Sequence, residues 1–225
     1  MDMDQLPTAP EGARRLLGDR LELAERFVAH LADTGVSHGL IGPREVPIVW
    51  ERHVLNCAVI EDAFPQGARV IDVGSGAGLP GMAVAIARPD LIIDLVEPMQ
   101  RRTEWLELVT SDLGLSSVTV HRARAEEVQG ELVAPFVTAR AVARIDKLAR
   151  WCFPLVESGG RLVAMKGKSA PEELESARKD LQRLGMTASQ ITEHGAEVLE
   201  EPTVTIDLTV QHRPKASSRK GRSRR

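Results

Sequence analysis

The sequence predicts an open α/β fold with a mostly parallel sheet, preceded by a helical segment. Short apolar runs rich in β-branched residues alternate with helical periods after residue 66, a pattern typical of parallel sheets covered on both faces. The first run also breaks into a glycine-rich turn, VIDVGSGAGLPG at 70–81, before a helix begins. We therefore expect three parts: a helical segment at 1–65, an α/β core at 66–212 and a basic, disordered tail at 213–225.

Apolar residues recur at helical spacing in two stretches of the N-terminal segment. Between 11 and 33 they form one amphipathic stripe, with Leu17, Leu21, Ala24, Val28 and Leu31. A second helix is predicted over 47–64, where Pro65 follows its last residue. The Gly- and Pro-containing stretch 38–44 predicts a loop between the two helices.

The core elements follow in alternating order. Helices are predicted at 82–88 and 101–113, and a third after Ser169, which has capping-box spacing with Glu172. The run 203–210 alternates apolar and polar residues, which predicts an antiparallel strand near the sheet edge with one face wetter than the other. The preceding strands are predicted at 69–73, 91–96, 118–121, 136–138 and 161–165.

Composition and charge restrict the classes of partner. No apolar run approaches the length of a membrane helix, and the N-terminus lacks the basic-then-apolar order of a secretory signal, so we expect a cytoplasmic protein. Cys57 and Cys152 form no CxxC pair, so we expect core thiols and no metal. Seven basic residues between 211 and 225 leave 22 basic against 32 acidic residues elsewhere. This asymmetry indicates a polyanionic partner, although a solvated tail that only aids solubility fits it too.

Two nucleotide-like ligands fit the glycine turn. Residues 76–81 spell GxGxxG, and Glu97 follows about 20 residues later, as in dinucleotide sites. However, the wider pattern puts an acid at the end of the strand, just before the glycines: Asp72-x-Gly74-x-Gly76-x-Gly78. A carboxylate there disfavours a diphosphate and suits a cationic sulfonium and ammonium. The pattern therefore favours S-adenosylmethionine, with Asp72 either facing its methionine amine or capping the turn.

Two further positions are candidate contacts of the nucleoside. Glu97 ends the second strand, where a carboxylate can accept hydrogen bonds from both ribose hydroxyls. An exposed acid at a strand end is its alternative role. Ala125 and Glu126 follow the third strand, where a backbone amide and a carboxylate can address the adenine edge, although paired glutamates are also common at helix starts.

Absent motifs narrow the methyl acceptor. Neither cysteine follows a proline, as a C5-pyrimidine nucleophile requires, and FVTARAVAR replaces the Asp/Asn-Pro-Pro-aromatic turn of adenine-amine enzymes. The remaining methyl acceptors include an atom with a free lone pair, such as guanine N7. Such an atom has no proton to remove before transfer, so catalysis would depend mostly on positioning. Arg140 and Lys166, at two strand ends, are the candidate catalytic residues, although Arg140 could instead form a structural ion pair. A phosphate track is predicted from the nearby basic residues Arg101, Arg102, Arg122, Arg124, Arg144 and Lys168.

The motifs DVGSGAGLPG, LVEPMQRR, ARAEEV, TARAVA and AMKGK, preceded by ERHVLNC at 51–57, resemble the RsmG family, also called GidB. This resemblance covers about 16–210 and implies a class I S-adenosylmethionine-dependent methyltransferase with a Rossmann-like, doubly wound, mostly parallel seven-stranded sheet. It implies methylation of N7 of one guanine in 16S rRNA, with naked RNA or the small ribosomal subunit as substrate. The cofactor contacts that it implies are Gly74, Leu79, Ala125, Glu126 and Arg140, with Glu97 on the ribose.

The resemblance also implies that Arg52 and His53 lie near the mouth of the active site, although His53 could equally pack the helical segment. Residues 39–50, GLIGPREVPIVW, depart from the Asn-Leu-Thr segment that is usual in this family. A monomer is the default expectation. Two other functions remain open from the sequence: a small-molecule methyltransferase and a non-catalytic RNA-binding assembly protein.

Overall fold

The structure is a computed structural model that describes residues 6–140 and 143–212. The predicted basic tail, 213–225, lies outside the described residues. Within this part of the chain, no helix is both long enough and apolar enough to cross a lipid bilayer.

A seven-stranded sheet forms the centre of the molecule, with strand order β3-β2-β1-β4-β5-β7-β6. The first five strands in this order are parallel, and β7 runs antiparallel to both β5 and β6. This arrangement confirms the predicted fold. The strands are β1 (Arg69–Val73), β2 (Ile92–Val96), β3 (Val118–His121), β4 (Ala134–Arg140), β5 (Val156–Lys166), β6 (Met186–His194) and β7 (Thr203–Val210).

Helices cover both faces of the sheet. One apolar cluster joins the N-terminal segment to α4 and α5 on one face, and a second joins α6 and α7 to the other. Because the first cluster is continuous, the N-terminal segment shares its core with the sheet. The core helices are α4 (Gly81–Ala87), α5 (Gln100–Asp112), α6 (Ile145–Cys152) and α7 (Ala170–Leu184), and those before them are α1 (Glu11–Leu17), α2 (Leu21–His30) and α3 (Asn56–Ala58).

The N-terminal segment is helical but irregular. A 3₁₀ turn at Gly18–Arg20 separates α1 from α2, so the predicted helix over 11–33 is two helices. The second helical stretch begins at Pro43, four residues before the predicted start, and runs through 3₁₀ and π turns to Ala63. It begins early because the Glu45 carboxylate accepts a hydrogen bond from the Gly42 amide, 2.8 Å away, while Pro43 needs no amide partner there.

The antiparallel direction predicted for β7 is confirmed, but the prediction that one of its faces is wetter is wrong. Its polar residues Thr203, Thr205 and Asp207 are all buried, and Thr205 and Asp207 are hydrogen-bonded to side chains of the neighbouring strand β6. Asn56 donates to the Thr203 hydroxyl at 2.8 Å, which ties α3 to the start of the strand. The alternating pattern therefore marks a polar interface inside the protein.

The third predicted helix also differs in detail. Its first residue, Ala170, follows Ser169 as expected, but the Ser169 side chain makes no capping hydrogen bond. The Ser169 carbonyl instead accepts the Glu173 amide at 3.0 Å, and Glu173 turns its carboxylate toward Lys166. The capping-box prediction is therefore wrong, because the Ser169 side chain caps no amide of this helix.

Candidate functional site

The glycine turn connects β1 to α4 at the carboxyl edge of the sheet. Gly74, Gly76 and Gly78 have φ of 74°, 54° and 78°, in the left-handed region that side chains disfavour. A Cβ on Gly76 would meet no atom closer than 3.8 Å, whereas one on Gly81 would come within 2.4 Å of Leu95 Cδ2. The turn therefore presents backbone to open space at Gly76 and packs tightly against the sheet at Gly81. Leu79, the other predicted contact in this turn, is buried beneath it.

Asp72 caps the helix that follows the turn. Its Oδ2 accepts a hydrogen bond from the Gly81 amide at 2.9 Å, and its Oδ1 has no partner among the described residues. The side chain is fully buried. Burial, reinforced by the nearby Glu97, raises the pKa of Asp72 to about 7, against the opposing influence of the Gly81 amide and Arg140. Of the two roles open from the sequence, this geometry favours the cap.

Glu97 joins the glycine turn to the end of β2. Its Oε2 accepts the Gly76 amide at 3.1 Å, and its Oε1 accepts the Met99 amide at 3.0 Å. The side chain is only 2% exposed, and Arg102 lies 3.7 Å from Oε2. Each carboxylate oxygen retains lone pairs beyond the amide that it binds, so the group can still accept from a pair of hydroxyls.

Ala125 and Glu126 follow β3, the neighbour of β2 in the sheet. Ala125 is buried in the apolar cluster under α6, whereas Glu126 is exposed. The carboxyl ends of the adjacent strands β1, β2 and β3 are therefore followed by the glycine turn, the buried Glu97 carboxylate and the buried, apolar Ala125, respectively. These residues fit a nucleoside with a non-phosphate extension, because Asp72 and Glu97 place two carboxyl groups against the turn, which disfavour a diphosphate there.

Arg140 ends β4, two residues beyond the position that pairs with Asp72. Its guanidinium donates to Cys57 Sγ at 2.9 Å, to the Arg52 carbonyl at 3.3 Å and to His53 Nδ1 at 2.8 Å. The alternative of a structural ion pair to a carboxylate is not what the structure shows, because its partners are an imidazole, a thiol and a carbonyl. All three come from the N-terminal segment.

Behind Arg140 lies a contact that the sequence did not indicate. His53 Nε2 lies 3.1 Å from Glu45 Oε1, and His53 is only 6% exposed. Burial, followed by the charge of Arg140, lowers the pKa of His53. The Gly42 amide, assisted by His53, lowers the pKa of Glu45. Arg140 and His53 are 87 positions apart along the chain, so their contact can be recognised only from the fold.

A groove of about 900 Å³ opens beside Arg140, between the second helical stretch and the β6–β7 connection. Its basic lining residues are Arg52, Arg140, Lys166 and Lys168, and its acidic ones are Glu51, Glu193, Glu200 and Glu201. Lys168 lies 2.8 Å from Glu201 across this surface. The groove is thus mixed in charge, with acids on the side of the β6–β7 connection that the sequence did not indicate.

The remaining basic residues of the predicted phosphate track are distributed along the same edge of the sheet. Arg101 donates to the Ser37 carbonyl at 2.9 Å, and Arg144 lies 3.5 Å from Asp146. Arg122 and Arg124 follow β3, on the opposite side of the glycine turn from the groove. A polyanion that contacts both the arginines after β3 and the basic residues of the groove must therefore cross the glycine turn.

Lys166 lies in this groove at the end of β5, but its ammonium is engaged. Nζ donates to the Ala143 carbonyl at 2.7 Å and to Glu173 Oε1 at 2.8 Å. The same carboxylate oxygen accepts the Ile145 amide. Lys166 therefore links β5 to the loop that leads into α6, and only 11% of its side chain is exposed.

The two cysteines are free and buried, as predicted. Burial raises the pKa of Cys57 to about 11, which outweighs the hydrogen bond from Arg140, so Cys57 is a thiol at neutral pH. Burial likewise raises the pKa of Cys152. Among the described residues, no three His, Cys, Asp or Glu side chains are grouped to hold a metal ion.

Comparison with known proteins identifies the family. Residues 20–202 match the family GidB, described as rRNA small subunit methyltransferase G. Ribosomal RNA small subunit methyltransferase G from Pseudarthrobacter chlorophenolicus is 52% identical over 205 residues, 91% of this chain and 95% of the relative. The protein of the same name from Streptomyces avermitilis is 49% identical over 211 residues, 93% of this chain and 89% of the relative.

Solved structures agree on the fold. The S-adenosylmethionine-dependent methyltransferase SibL superposes with a TM-score of 0.58 at 17% identity, covering 90% of this chain and 70% of that one. A SAM-dependent O-methyltransferase from Thermotoga maritima superposes with a TM-score of 0.52 at 17% identity, covering 71% and 66%. Taken with the glycine turn and Glu97, these matches show that the chain belongs to the GidB family of rRNA small subunit methyltransferases and uses S-adenosylmethionine as its methyl donor.

Proposed function

We propose that the protein methylates N7 of a guanine in 16S rRNA, acting in the cytoplasm as a monomer. One observation supports this choice of acceptor: four titratable groups between the glycine turn and the groove are either hydrogen-bonded to other protein groups or buried. His53 binds Arg140 and Glu45, Lys166 binds Glu173, Asp72 caps α4, and Cys57 is a buried thiol. An acceptor that brings its own lone pair needs no base from this set.

In this proposal the cofactor lies against the glycine turn. Gly74, Gly76, Gly78 and Leu79 supply the backbone, and Asp72 holds the turn in shape through Gly81. Glu97 accepts hydrogen bonds from the ribose hydroxyls while it retains the Gly76 amide. Ala125 and Glu126 flank the adenine. When bound, S-adenosylmethionine supplies a methyl group on a positively charged sulfur.

The groove receives the RNA in the same proposal. Arg140 presents its remaining N–H groups to guanine O6 or to a phosphate, for which its planar fork is suited. Lys166 acts by holding the Ala143–Ile145 loop beside the base and by adding positive charge to the groove wall. The contribution of these residues is alignment of the acceptor and exclusion of water.

The test is transfer of a labelled methyl group from S-adenosylmethionine to small ribosomal subunits, naked 16S rRNA and free nucleosides, followed by identification of the modified atom. We expect label on guanine N7 of the subunit or the RNA. Glu97→Ala should abolish transfer, whereas Glu131→Ala, at an exposed loop residue, serves as the matched control. Label on free nucleosides alone would identify a small-molecule enzyme. RNA binding without any transfer would identify an assembly protein.

A further inference from the structure

We infer that Glu45 is a positioning residue that fixes the orientation of Arg140 through a neutral His53. The three side chains form one chain of hydrogen bonds from the Gly42 amide to the edge of the groove. The inference rests on the proposed function only in its claim that the orientation of Arg140 affects methyl transfer. The chain of hydrogen bonds itself can be tested without a measurement of activity.

The proton positions follow from the donors and acceptors available. A guanidinium has only donors, so His53 Nδ1, 2.8 Å from Arg140 Nη2, must carry a lone pair. A carboxylate has only acceptors, so His53 Nε2, 3.1 Å from Glu45 Oε1, must carry the proton. Only the neutral Nε2–H tautomer satisfies both contacts. Burial, which lowers the pKa of His53, supports the same state.

Glu45 is itself held in place. Its second oxygen, Oε2, accepts the Gly42 amide at 2.8 Å, at the start of the 3₁₀ turn that contains Glu45. Both carboxylate oxygens are therefore directed, one toward the backbone and one toward the imidazole. Segment 39–50, whose sequence differs from the one usual in the family, thus contributes to the site through Glu45.

The contacts also decide which atoms of Arg140 remain for a ligand. A guanidinium has five N–H groups. One Nη1 bond goes to Cys57, and two Nη2 bonds go to the Arg52 carbonyl and to His53, which leaves Nε–H and one Nη1–H among the contacts described. Since Nη2 is fully used, the fork can rotate away from the groove only if the bond to His53 breaks.

Two substitutions at His53 separate its two contacts. Asparagine places an acceptor near the position of Nδ1 and cannot reach Glu45, so it keeps the contact with Arg140. Glutamine places its amide near the position of Nε2, so it keeps the contact with Glu45 and loses the acceptor for Arg140. We expect methyl transfer by His53→Asn to exceed that by His53→Gln by about 10-fold or more, as for loss of a hydrogen bond to a charged group. The reverse order would overturn the inference.

The role of Glu45 is tested by a double-mutant cycle. Glu45→Ala should lower the turnover number in the otherwise unchanged protein and have little further effect beside His53→Asn, because the link through the imidazole is already absent. Glu25→Ala, at an exposed site on α2, is the matched control. An equal loss in both backgrounds would show that Glu45 acts independently of His53 and would overturn the inference.

The pH dependence supplies a readout that a packing role would not change. Arg140, Glu45 and Arg52 are the charged groups that act on His53 among the described residues, and the Cys57 thiol contacts Arg140 beside it. Protonation of Nδ1 removes the acceptor for Arg140, so activity should fall as the pH drops through the lowered pKa of His53. This acid limb should be absent in His53→Asn, which retains part of the activity because it keeps the acceptor for Arg140. If His53 were instead a general base, His53→Asn would lose both the acid limb of the pH profile and the activity itself.

Nitrogen-15 spectra of the imidazole test the tautomer directly in the full-length protein. At pH 7.5 we expect His53 to be neutral, with its proton on Nε2. Glu45→Ala should change the Nε2 signal, and Arg140→Lys should change the Nδ1 signal. A proton on Nδ1 would overturn the inference even if the enzyme methylates rRNA. The expected tautomer in a protein that transfers no methyl to rRNA would instead leave the chain intact and contradict the proposed function.

Discussion

Replacing Asp72 by asparagine tests whether a buried carboxyl is protonated at the centre of the site. The side chain is fully buried, and burial raises its pKa to about 7 from the model-compound value of 3.8. Between these two values the folded protein binds more protons than the unfolded chain, so the free energy of unfolding falls as the pH rises. Asparagine keeps an acceptor for the Gly81 amide, 2.9 Å away, and removes the titration.

The magnitude follows from the two pKa values. A single carboxyl with a pKa of about 7 when folded and 3.8 when unfolded destabilises the protein by roughly 2.5 kcal/mol between pH 5 and pH 8. The difference in unfolding free energy, Asp72→Asn minus wild type, should therefore grow by about that amount over this range. Other groups titrate in both proteins and cancel in the difference.

Urea unfolding of the cofactor-free proteins, followed by far-ultraviolet circular dichroism at pH 5, 6.5 and 8, measures this difference. Asp19→Asn removes a carboxyl from an exposed position and is the matched control. A difference that stays constant from pH 5 to pH 8 would refute the reasoning, because Asp72 would then be ionised throughout. Calorimetry with S-adenosylmethionine on the same variant addresses its role: a loss of affinity greater than about 10-fold at pH 8 would assign the charge to the methionine amine.

Three further predictions concern packing, the buried polar interface and the tail. Gly81→Ala places a Cβ 2.4 Å from Leu95 Cδ2 and should lower the urea-unfolding free energy by about 1–3 kcal/mol; an unchanged value would contradict the tight packing. His194 Nδ1 lies 2.5 Å from Asp62 Oδ1, and His194 Nε2 lies 2.9 Å from the Thr205 hydroxyl. His194→Ala should therefore lower the urea-unfolding free energy by roughly 1–3 kcal/mol, and an unchanged value would show that these two contacts do not stabilise the fold. Removal of 213–225 should weaken rRNA binding most at low salt in filter-binding titrations, whereas an equal loss at all salt concentrations would contradict an electrostatic role.

The parallel half of the sheet could be predicted because local pattern and burial agree there. The predicted bounds of β1 and β3 are those observed, since each is a short apolar, β-branched run. β6 and α6 were missed. Most of β6 is polar and partly exposed at the sheet edge, so neither face carries an apolar stripe. In α6 the four buried residues, Ile145, Leu148, Ala149 and Cys152, follow helical spacing, but they span only eight positions, which is shorter than the window over which such a period is recognised.

The side of the site that we propose faces the cofactor was predictable from the sequence for a physical reason. The glycine turn and its partners lie in consecutive βα units: Asp72 contacts Gly81 nine positions away, and Glu97 contacts Gly76 at a separation of 21. Parallel strands bring such turns to one edge whatever covers the sheet. The chemistry of these residues therefore follows from their order along the chain.

The side that we propose faces the acceptor depends on contacts between distant parts of the chain. His53 meets Arg140 across 87 positions, and Asn56 meets Thr203 across 147. These contacts exist only because the N-terminal segment packs over the carboxyl ends of β4 and β5 and the start of β7, where it supplies one wall of the groove and the partners of Arg140. Replacing the N-terminal segment on an unchanged sheet would therefore leave the proposed nucleoside contacts in place, and it would alter both the shape of the groove and the direction of the Arg140 guanidinium. This division explains why the cofactor can be inferred from a short motif while the acceptor cannot.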